Sequence, residues 1–365
     1  MKYIEEFRNK RLVGKLSQEI LSITPKDRSI NIMEVCGTHT QNFHRFGLSG
    51  ILPKNINFIS GPGCPVCVSA YGYIDSAIKL SEDKDVIILT FGDMLRVPGS
   101  SFTLEQAGLR FGNVKVVYSP SDAIDAARKD PKKKIVFLGV GFETTAPLIA
   151  LTIIKAGREN IKNLFFLNSL KLIPPALDYL AKDREIKVDG FLCPGHVSAI
   201  IGTKPYERIV KKYKIPCCVA GFEPLDILEG IRFLLIQIIT DKPAFKNQYN
   251  RVVKAKGNIR ALSALKEVFV VNDASWRGLG TINKSGLFIK RELQRFDAER
   301  IFNVHITEKR SSFKDSKKCR CPDVLKGVIK PLECALFRKI CTPETPCGPC
   351  MVSQEGACNA YYRFH

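Results

Sequence analysis

From about residue 30 to residue 240 the chain repeats one pattern. A short apolar run, mostly β-branched or aromatic, leads into a turn rich in Gly, Pro and Cys, and then into a segment with helical periodicity. The runs fall at 30–35, 56–59, 86–90, 114–117, 135–138, 164–167, 191–192 and 217–219. Near-continuous apolar runs are the signature of strands covered on both faces, and their alternation with helices predicts parallel sheets. There are more runs than one sheet comfortably holds, so the expected fold is α/β with two doubly wound, Rossmann-like lobes facing a cleft. A short echo supports two lobes: Gly141-Phe142-Glu143 and Gly221-Phe222-Glu223 each follow a strand and enter a helix. After about residue 241 the alternation gives way to a Lys-rich, irregular stretch ending in many cysteines, read as a small third unit whose core is partly replaced by a metal centre. The expected division is 1–160 for the N-terminal region and first lobe, 161–250 for the second lobe, and 251–365 for the irregular region and C-terminal cluster domain.

Composition sharpens this picture in two places. With 365 residues and 45% apolar content, the chain can bury substantial cores and is not intrinsically disordered. Thirteen cysteines are present, and seven of them (Cys319, Cys321, Cys334, Cys341, Cys347, Cys350 and Cys358) lie in the last 47 residues. An odd number crowded at one end of a long chain does not read as a secreted disulfide framework, so metal or redox chemistry is expected. The N-terminus lacks a signal-peptide pattern. The longest apolar stretch, 231–239, is broken by Arg232 and Gln237 and falls well short of the roughly 20 residues a membrane span needs. The expectation is a cytoplasmic protein with no membrane partner. The net charge of +20 raises nucleic-acid binding, but the basic runs (132–134, 211–212, 309–320) hold one aromatic, Phe313, and lack the interleaving that would stack successive bases. The expected explanation is a lysine-rich solvated surface that steers an acidic protein partner, with no nucleic-acid partner.

In open α/β sheets ligands bind beyond the carboxyl ends of the strands, and the unusual residues of this chain sit there. Cys36-Gly37-Thr38-His39-Thr40 follows the first run; a thiol in such a turn meets backbone N–H groups that favour thiolate, and His39 is near enough to serve as proton donor or supporting partner. Gly61-Pro62-Gly63-Cys64-Pro65-Val66-Cys67 follows the second run, and its C-x-x-C brings two sulfurs within reach of one metal or of each other. No second pair at similar spacing lies near enough for structural zinc, so a redox or transition-metal pair is expected. Gly139 to Pro147 is glycine-rich but matches neither dinucleotide nor P-loop fingerprints. Cys193-Pro194-Gly195-His196 closes another strand and adds an imidazole to the same cleft. In the tail, Cys319, Cys334, Cys341 and Cys358 follow a C-x14-C-x6-C-x16-C spacing. Four thiolates from separated turns suit a [4Fe–4S] cube better than a zinc ribbon, although spacing alone does not pick which four of the seven bind.

Together these segments resemble the HypD family of [NiFe]-hydrogenase maturation factors. The resemblance rests on residues 34–40, 61–67, 90–99, 141–147 and 194–198, on Cys341-Thr342-Pro343, and on 350–358, in the family's order and over nearly the whole chain. It implies a redox-active scaffold for building the Fe(CN)2CO group more than a turnover enzyme. Its partners would be a HypC-like chaperone, sharing an Fe(II) that acquires CN and CO ligands, and a HypE-like cyanide donor. By the same resemblance Cys36 would ligate iron, Cys64 and Cys67 would be cleft thiols that exchange electrons or assist iron binding, and Cys319, Cys334, Cys341 and Cys358 would hold the [4Fe–4S] cluster. Cys321 and Cys350 would form a dithiol/disulfide relay. Two segments depart from the family pattern: Gln41 stands where a second histidine is usual, so any such role is lost or falls to His44, and Ser69-Ala70 replaces Thr-Pro after the C-x-x-C. The competing readings are an iron–sulfur thiol–disulfide oxidoreductase and an iron–sulfur nucleic-acid-binding protein.

Overall fold

The computed structural model describes residues 4–183, 185–306 and 318–365. The basic stretch 309–320 lies for the most part outside the described residues. Each of the apolar runs forms a strand: β1 (Ile30–Glu34), β2 (Ile56–Ser60), β3 (Val86–Thr90), β4 (Val114–Val116), β5 (Lys134–Gly141), β6 (Leu164–Lys171), β7 (Gly190–Pro194) and β8 (Cys217–Ala220). Three further strands follow, β9 (Phe245–Asn247), β10 (Phe269–Trp276) and β11 (Gly280–Ile289).

The strands form two sheets. One is five-stranded and wholly parallel, in the order β2-β1-β7-β8-β9. The other is six-stranded, in the order β10-β11-β6-β5-β3-β4, parallel from β6 to β4 and completed by an antiparallel hairpin. This is the expected α/β architecture of two Rossmann-like lobes. The sheets, however, are not contiguous in sequence: β1 and β2 pair with β7–β9, whereas β3–β6 pair with β10 and β11. Hydrophobic periodicity reports that a segment is a strand and says nothing about its neighbours, so a division near residues 160 and 250 does not follow the sheets. The segment after residue 241, expected to be irregular, contributes β9, the helix Ile259–Val268 and the β10–β11 hairpin. Its pattern is hidden because residues 270–273 of edge strand β10 are exposed, so neither a buried run nor an alternation appears.

Alternation along each strand divides the core. In β1, Ile30 and Ile32 join the outer helical layer that includes Phe43, Ile227 and Ile231, while Met33 turns inward. In β5, Ile135 and Phe137 face outward against Ile149 and Ile153, and Val136, Leu138 and Val140 face inward. The inward faces of both sheets share one core with Val324, Met351, Val352 and Tyr361 of the cysteine tail. Each such side chain contributes about 1.5–3 kcal/mol on burial. The tail is thereby fixed to both sheets.

Strand order also locates the cleft. In the five-stranded sheet the chain leaves β1 toward β2 on one side, and β7 lies on the other; in the six-stranded sheet β3 and β5 flank the corresponding reversal. Ligand crevices open at such switch points. The residues just beyond these four strands are Cys36, His196, Asp93 and Glu143, each of which belongs to one of the sequence motifs.

Candidate functional site

Cys36 is the residue before the helix Gly37–Arg45, in extended conformation (φ −154°, ψ 121°). Its sulfur faces the backbone N–H groups of Thr38 and His39 and the Thr38 hydroxyl, all of which favour thiolate, but burial outweighs them and, with Glu355 nearby, pushes the thiol up to about 12. Burial thus favours the protonated sulfur, and when a cation displaces the proton the thiolate accepts hydrogen bonds from donors already aimed at it.

The C-x-x-C turn lies directly on this residue. Gly61 N–H donates to the Glu34 carbonyl (2.8 Å), Gly63 N–H to the Gly61 carbonyl (2.8 Å), and Gly37 N–H to the Gly63 carbonyl (3.1 Å). Gly63 is so close that a Cβ there would stand 2.5 Å from Cys36 Cα and 2.7 Å from its carbonyl carbon. Cys64 and Cys67 are both buried, and Cys67 N–H donates to Cys64 Sγ at 3.3 Å. The Cys67 thiol in turn donates to the Pro349 carbonyl at 3.6 Å. Pro349 precedes Cys350, which is joined to Cys321 in a disulfide with Cα atoms 6.3 Å apart, within the usual span.

Beyond the disulfide, Cys319, Cys334, Cys341 and Cys358 line one pocket together with Val324, Leu336, Phe337 and Met351. Burial raises the Cys358 thiol well above its ordinary range, and Cys319, Cys341 and Cys334 add to the shift. Cys319 is pushed up to about 11, mainly by burial. The turn after Cys347 has glycine at 348, where a Cβ would come 2.6 Å from Cys319 Sγ. Cys347 does not line the pocket; its N–H donates to Cys341 Sγ at 3.4 Å. Among the described residues no three His, Cys, Asp or Glu side chains are grouped to hold a single ion. Four thiols around one pocket are a donor set that could hold a metal cluster through four thiolates.

The tail is tied to the cleft by contacts that sequence alone did not indicate. Thr38 Oγ1 donates to Glu355 (2.7 Å), Ser353 Oγ to Asp93 Oδ2 (2.7 Å), and Arg96 Nη1 to the Pro343 carbonyl (2.8 Å). Gln41, in place of the usual histidine, reaches Gln354 Oε1 at 3.4 Å. His44 lies edge-on to Tyr361 and its Nδ1 is 3.1 Å from His365 Nε2. Ser69 hydrogen-bonds back to the Pro65 carbonyl at 3.0 Å, which closes the turn without the Thr-Pro pair. The His39 Nε2 meets the Gly221 carbonyl at 2.8 Å and its ring packs against Phe222, which also stacks on His196 at 3.9 Å. Burial lowers His39 to about 4, so the ring is neutral and Nε2 carries the hydrogen. Cys193, Cys217 and Cys218 are fully buried in β7 and β8 and serve the sheet core.

Four buried titratable groups near the switch points give stability opposing slopes with pH. Glu34 and Glu143 are each raised by burial from 4.5 to about 8, so stability falls as pH climbs from about 4.5 to about 8. Burial lowers His39 from 6.5 to about 4 and His44 from 6.5 to about 3, so they contribute stability that is lost as pH drops below 6.5. The slopes cancel between about 4.5 and 6.5. Above 6.5 the two carboxyls act alone, at about 1.4 kcal/mol per proton per pH unit, and stability should drop by about 4 kcal/mol by pH 8. Glu143 accepts the Ile173 N–H through both oxygens (3.0 and 3.3 Å), a bond that the amide oxygen of glutamine can keep. Glu143→Gln should therefore halve the alkaline slope in urea titrations; an unchanged slope would show that Glu143 is ionised in the folded protein.

Comparison with known proteins agrees with the arrangement of motifs around the two sheets. Residues 11–365 match the family HypD, described as the hydrogenase formation hypA family. The hydrogenase maturation factor HypD of Escherichia coli (strain K12) is 43% identical over 371 residues, spanning 100% of this chain and 98% of its own length. The factor of the same name from Rhodobacter capsulatus is 41% identical over 370 residues, covering 100% and 98%. A putative hydrogenase expression/formation protein of Methanocaldococcus jannaschii is 39% identical over 358 residues, covering 98% of each chain. Motif order, fold and end-to-end similarity agree: the chain belongs to the HypD family of hydrogenase maturation factors.

Proposed function

We propose that this chain is the scaffold on which the Fe(CN)2CO group of [NiFe]-hydrogenase is assembled. The observation that carries the reading is the unbroken succession of sulfur groups: Cys36, the Gly63-Cys64-Pro65-Val66-Cys67 turn laid on it, the Cys321 and Cys350 disulfide reached through Pro349, and the pocket of Cys319, Cys334, Cys341 and Cys358. Iron is the cargo. Cys36 would hold it through thiolate, with the Thr38 and His39 N–H groups oriented toward that sulfur. Soft thiolates in a buried cleft suit an Fe(II) that carries cyanide and carbonyl. A HypC-like chaperone would complete the iron site and a HypE-like protein would deliver cyanide, in keeping with an anaerobic cytoplasmic assembly.

The pocket's donor set fits a [4Fe–4S] cluster: four thiols, apolar walls and an N–H to one sulfur. When bound, the cluster would supply a one-electron store beside the disulfide. Cys321 and Cys350 would exchange electrons with the cleft through Cys67, whose thiol donates to the carbonyl of the residue before Cys350. Infrared spectroscopy of the anaerobically purified protein with its HypC-like partner tests the reading. Cyanide and carbonyl stretches are the expected result, and a complex that binds iron without them would overturn it. The adjacency of Cys67 to the disulfide also supports a second reading, a thiol–disulfide oxidoreductase, which predicts turnover of small disulfides without any partner.

A further inference from the structure

Arg277 stands at the tip of the β10–β11 hairpin and is 5% exposed. Its backbone N–H donates to the Val68 carbonyl (2.9 Å), Nε to the Ser69 carbonyl (2.6 Å) and Nη2 to the Pro98 carbonyl (3.2 Å), and the guanidinium lies 3.7 Å from the centre of the Tyr71 ring. The side chain thus grips the residues immediately after Cys67 and the loop after β3. Its neighbour Gly278, at φ +83°, presses on Pro322, next to Cys321; a Cβ there would be 2.8 Å from the proline Cβ. The hairpin tip therefore touches three segments that carry chemistry.

All of Arg277's side-chain hydrogen bonds go to neutral carbonyl oxygens, and Nη1 is buried without a partner. A guanidinium does not deprotonate in a protein, and burying one without a hydrogen-bonded carboxylate is costly. The groups that its charge reaches are Tyr71, the sulfurs of Cys67 and Cys319, one from each sulfur centre, and the Asp75 carboxylate, which makes no hydrogen bond to it. We propose that Arg277 is a positioning residue that braces the C-x-x-C turn and supplies one fixed positive charge to both the cleft thiols and the tail, biasing them toward their electron-rich forms.

Two measurements on the full chain test this. In glutathione buffers, two glutathione thiols break the Cys321 and Cys350 disulfide to give two protein thiols and one glutathione disulfide, read by alkylation and mass spectrometry. Arg277→Gln should lower the equilibrium constant for reduction about tenfold, or about 30 mV for this two-electron couple. Arg277→Lys, which keeps the charge, should stay within threefold of the unsubstituted chain. In the second measurement, which rests on the cluster reading above, protein reconstituted with iron and sulfide is titrated with dithionite. The one-electron midpoint of Arg277→Gln should fall, and that of Arg277→Lys should not.

A folded Arg277→Gln protein with both equilibria within twofold of the unsubstituted chain overturns the proposal. So does an Arg277→Lys protein shifted as far as Arg277→Gln, since that would leave a steric brace alone. If Arg277→Gln does not fold, Arg277→Lys decides by itself: retained equilibria support the charge, and a tenfold shift refutes it. A chain that takes up no cluster refutes the cofactor reading, and the glutathione measurement then decides the role of Arg277.

Discussion

Cys36→Ala is expected to abolish assembly of the iron group while leaving the protein folded. The side chain lost is small, and removing a buried sulfur costs roughly 1–2 kcal/mol, a modest fraction of the stability of a chain this size. The functional loss is of another order. Cys36 is the thiol at the carboxyl end of β1, beside the strand-order reversal, with the N–H groups of Thr38 and His39 aimed at its sulfur. Cys64 and Cys67 cannot substitute in place: they are carried by the turn that Gly63 lays on Cys36, and Cys67 is directed toward Pro349. Cys36→Ser should fail as completely, because a hydroxyl is a poor ligand for soft, low-spin iron. The check is infrared spectroscopy of the variant with its HypC-like partner, alongside thermal unfolding. Cyanide and carbonyl bands persisting in Cys36→Ala would place the iron elsewhere and sink the assignment.

Much of this arrangement is legible in the chain, for a physical reason. Parallel strands buried on both faces advertise themselves as apolar runs, and strand ends that build sites carry Gly, Pro and Cys because the backbone must turn tightly there. That is why residue order alone puts Cys36, Cys64 and Cys67 at strand ends. What periodicity does not carry is pairing: nothing in residues 30–60 says that β1 will sit beside β7 and not β3. The hairpin β10–β11 is hidden because its exposed edge strand mixes Val270 and Val271 with Asn272 and Asp273. Arg277 gives no signal for the same reason, standing in a stretch that reads as irregular. Glu355 and Ser353 are visible as members of a motif, but their partners Thr38 and Asp93 are hundreds of residues away, and only the folded chain brings those side chains together. The thiol tail, which reads from sequence as a separate unit, shares its core with both sheets.

That intimacy makes Gly63 a sensitive glycine of the site. Its φ does not lie in the left-handed region, so alanine there meets no conformational penalty, and the whole effect is steric. A Cβ at position 63 would meet the Cys36 main chain, 2.5 Å from Cα and 2.7 Å from the carbonyl carbon, and main chain anchored between β1 and the following helix has little room to yield. Gly63→Ala should cost about 1–3 kcal/mol in urea unfolding, as overpacking against a fixed wall does. It should also remove the infrared bands of the assembled group, because relief requires moving Cys36 away from the C-x-x-C turn. Gly348→Ala is the internal control. There the added Cβ meets the end of a side chain, Cys319 Sγ at 2.6 Å, which can swing aside. Its unfolding free energy should change by less than about 1 kcal/mol, within the usual range for a site that can relax. The displaced sulfur should instead lower the iron and sulfide retained after reconstitution. A Gly63→Ala protein with unchanged stability and intact infrared bands would mean that the turn does not rest on Cys36, and the continuity from iron site to tail pocket would lose its first link.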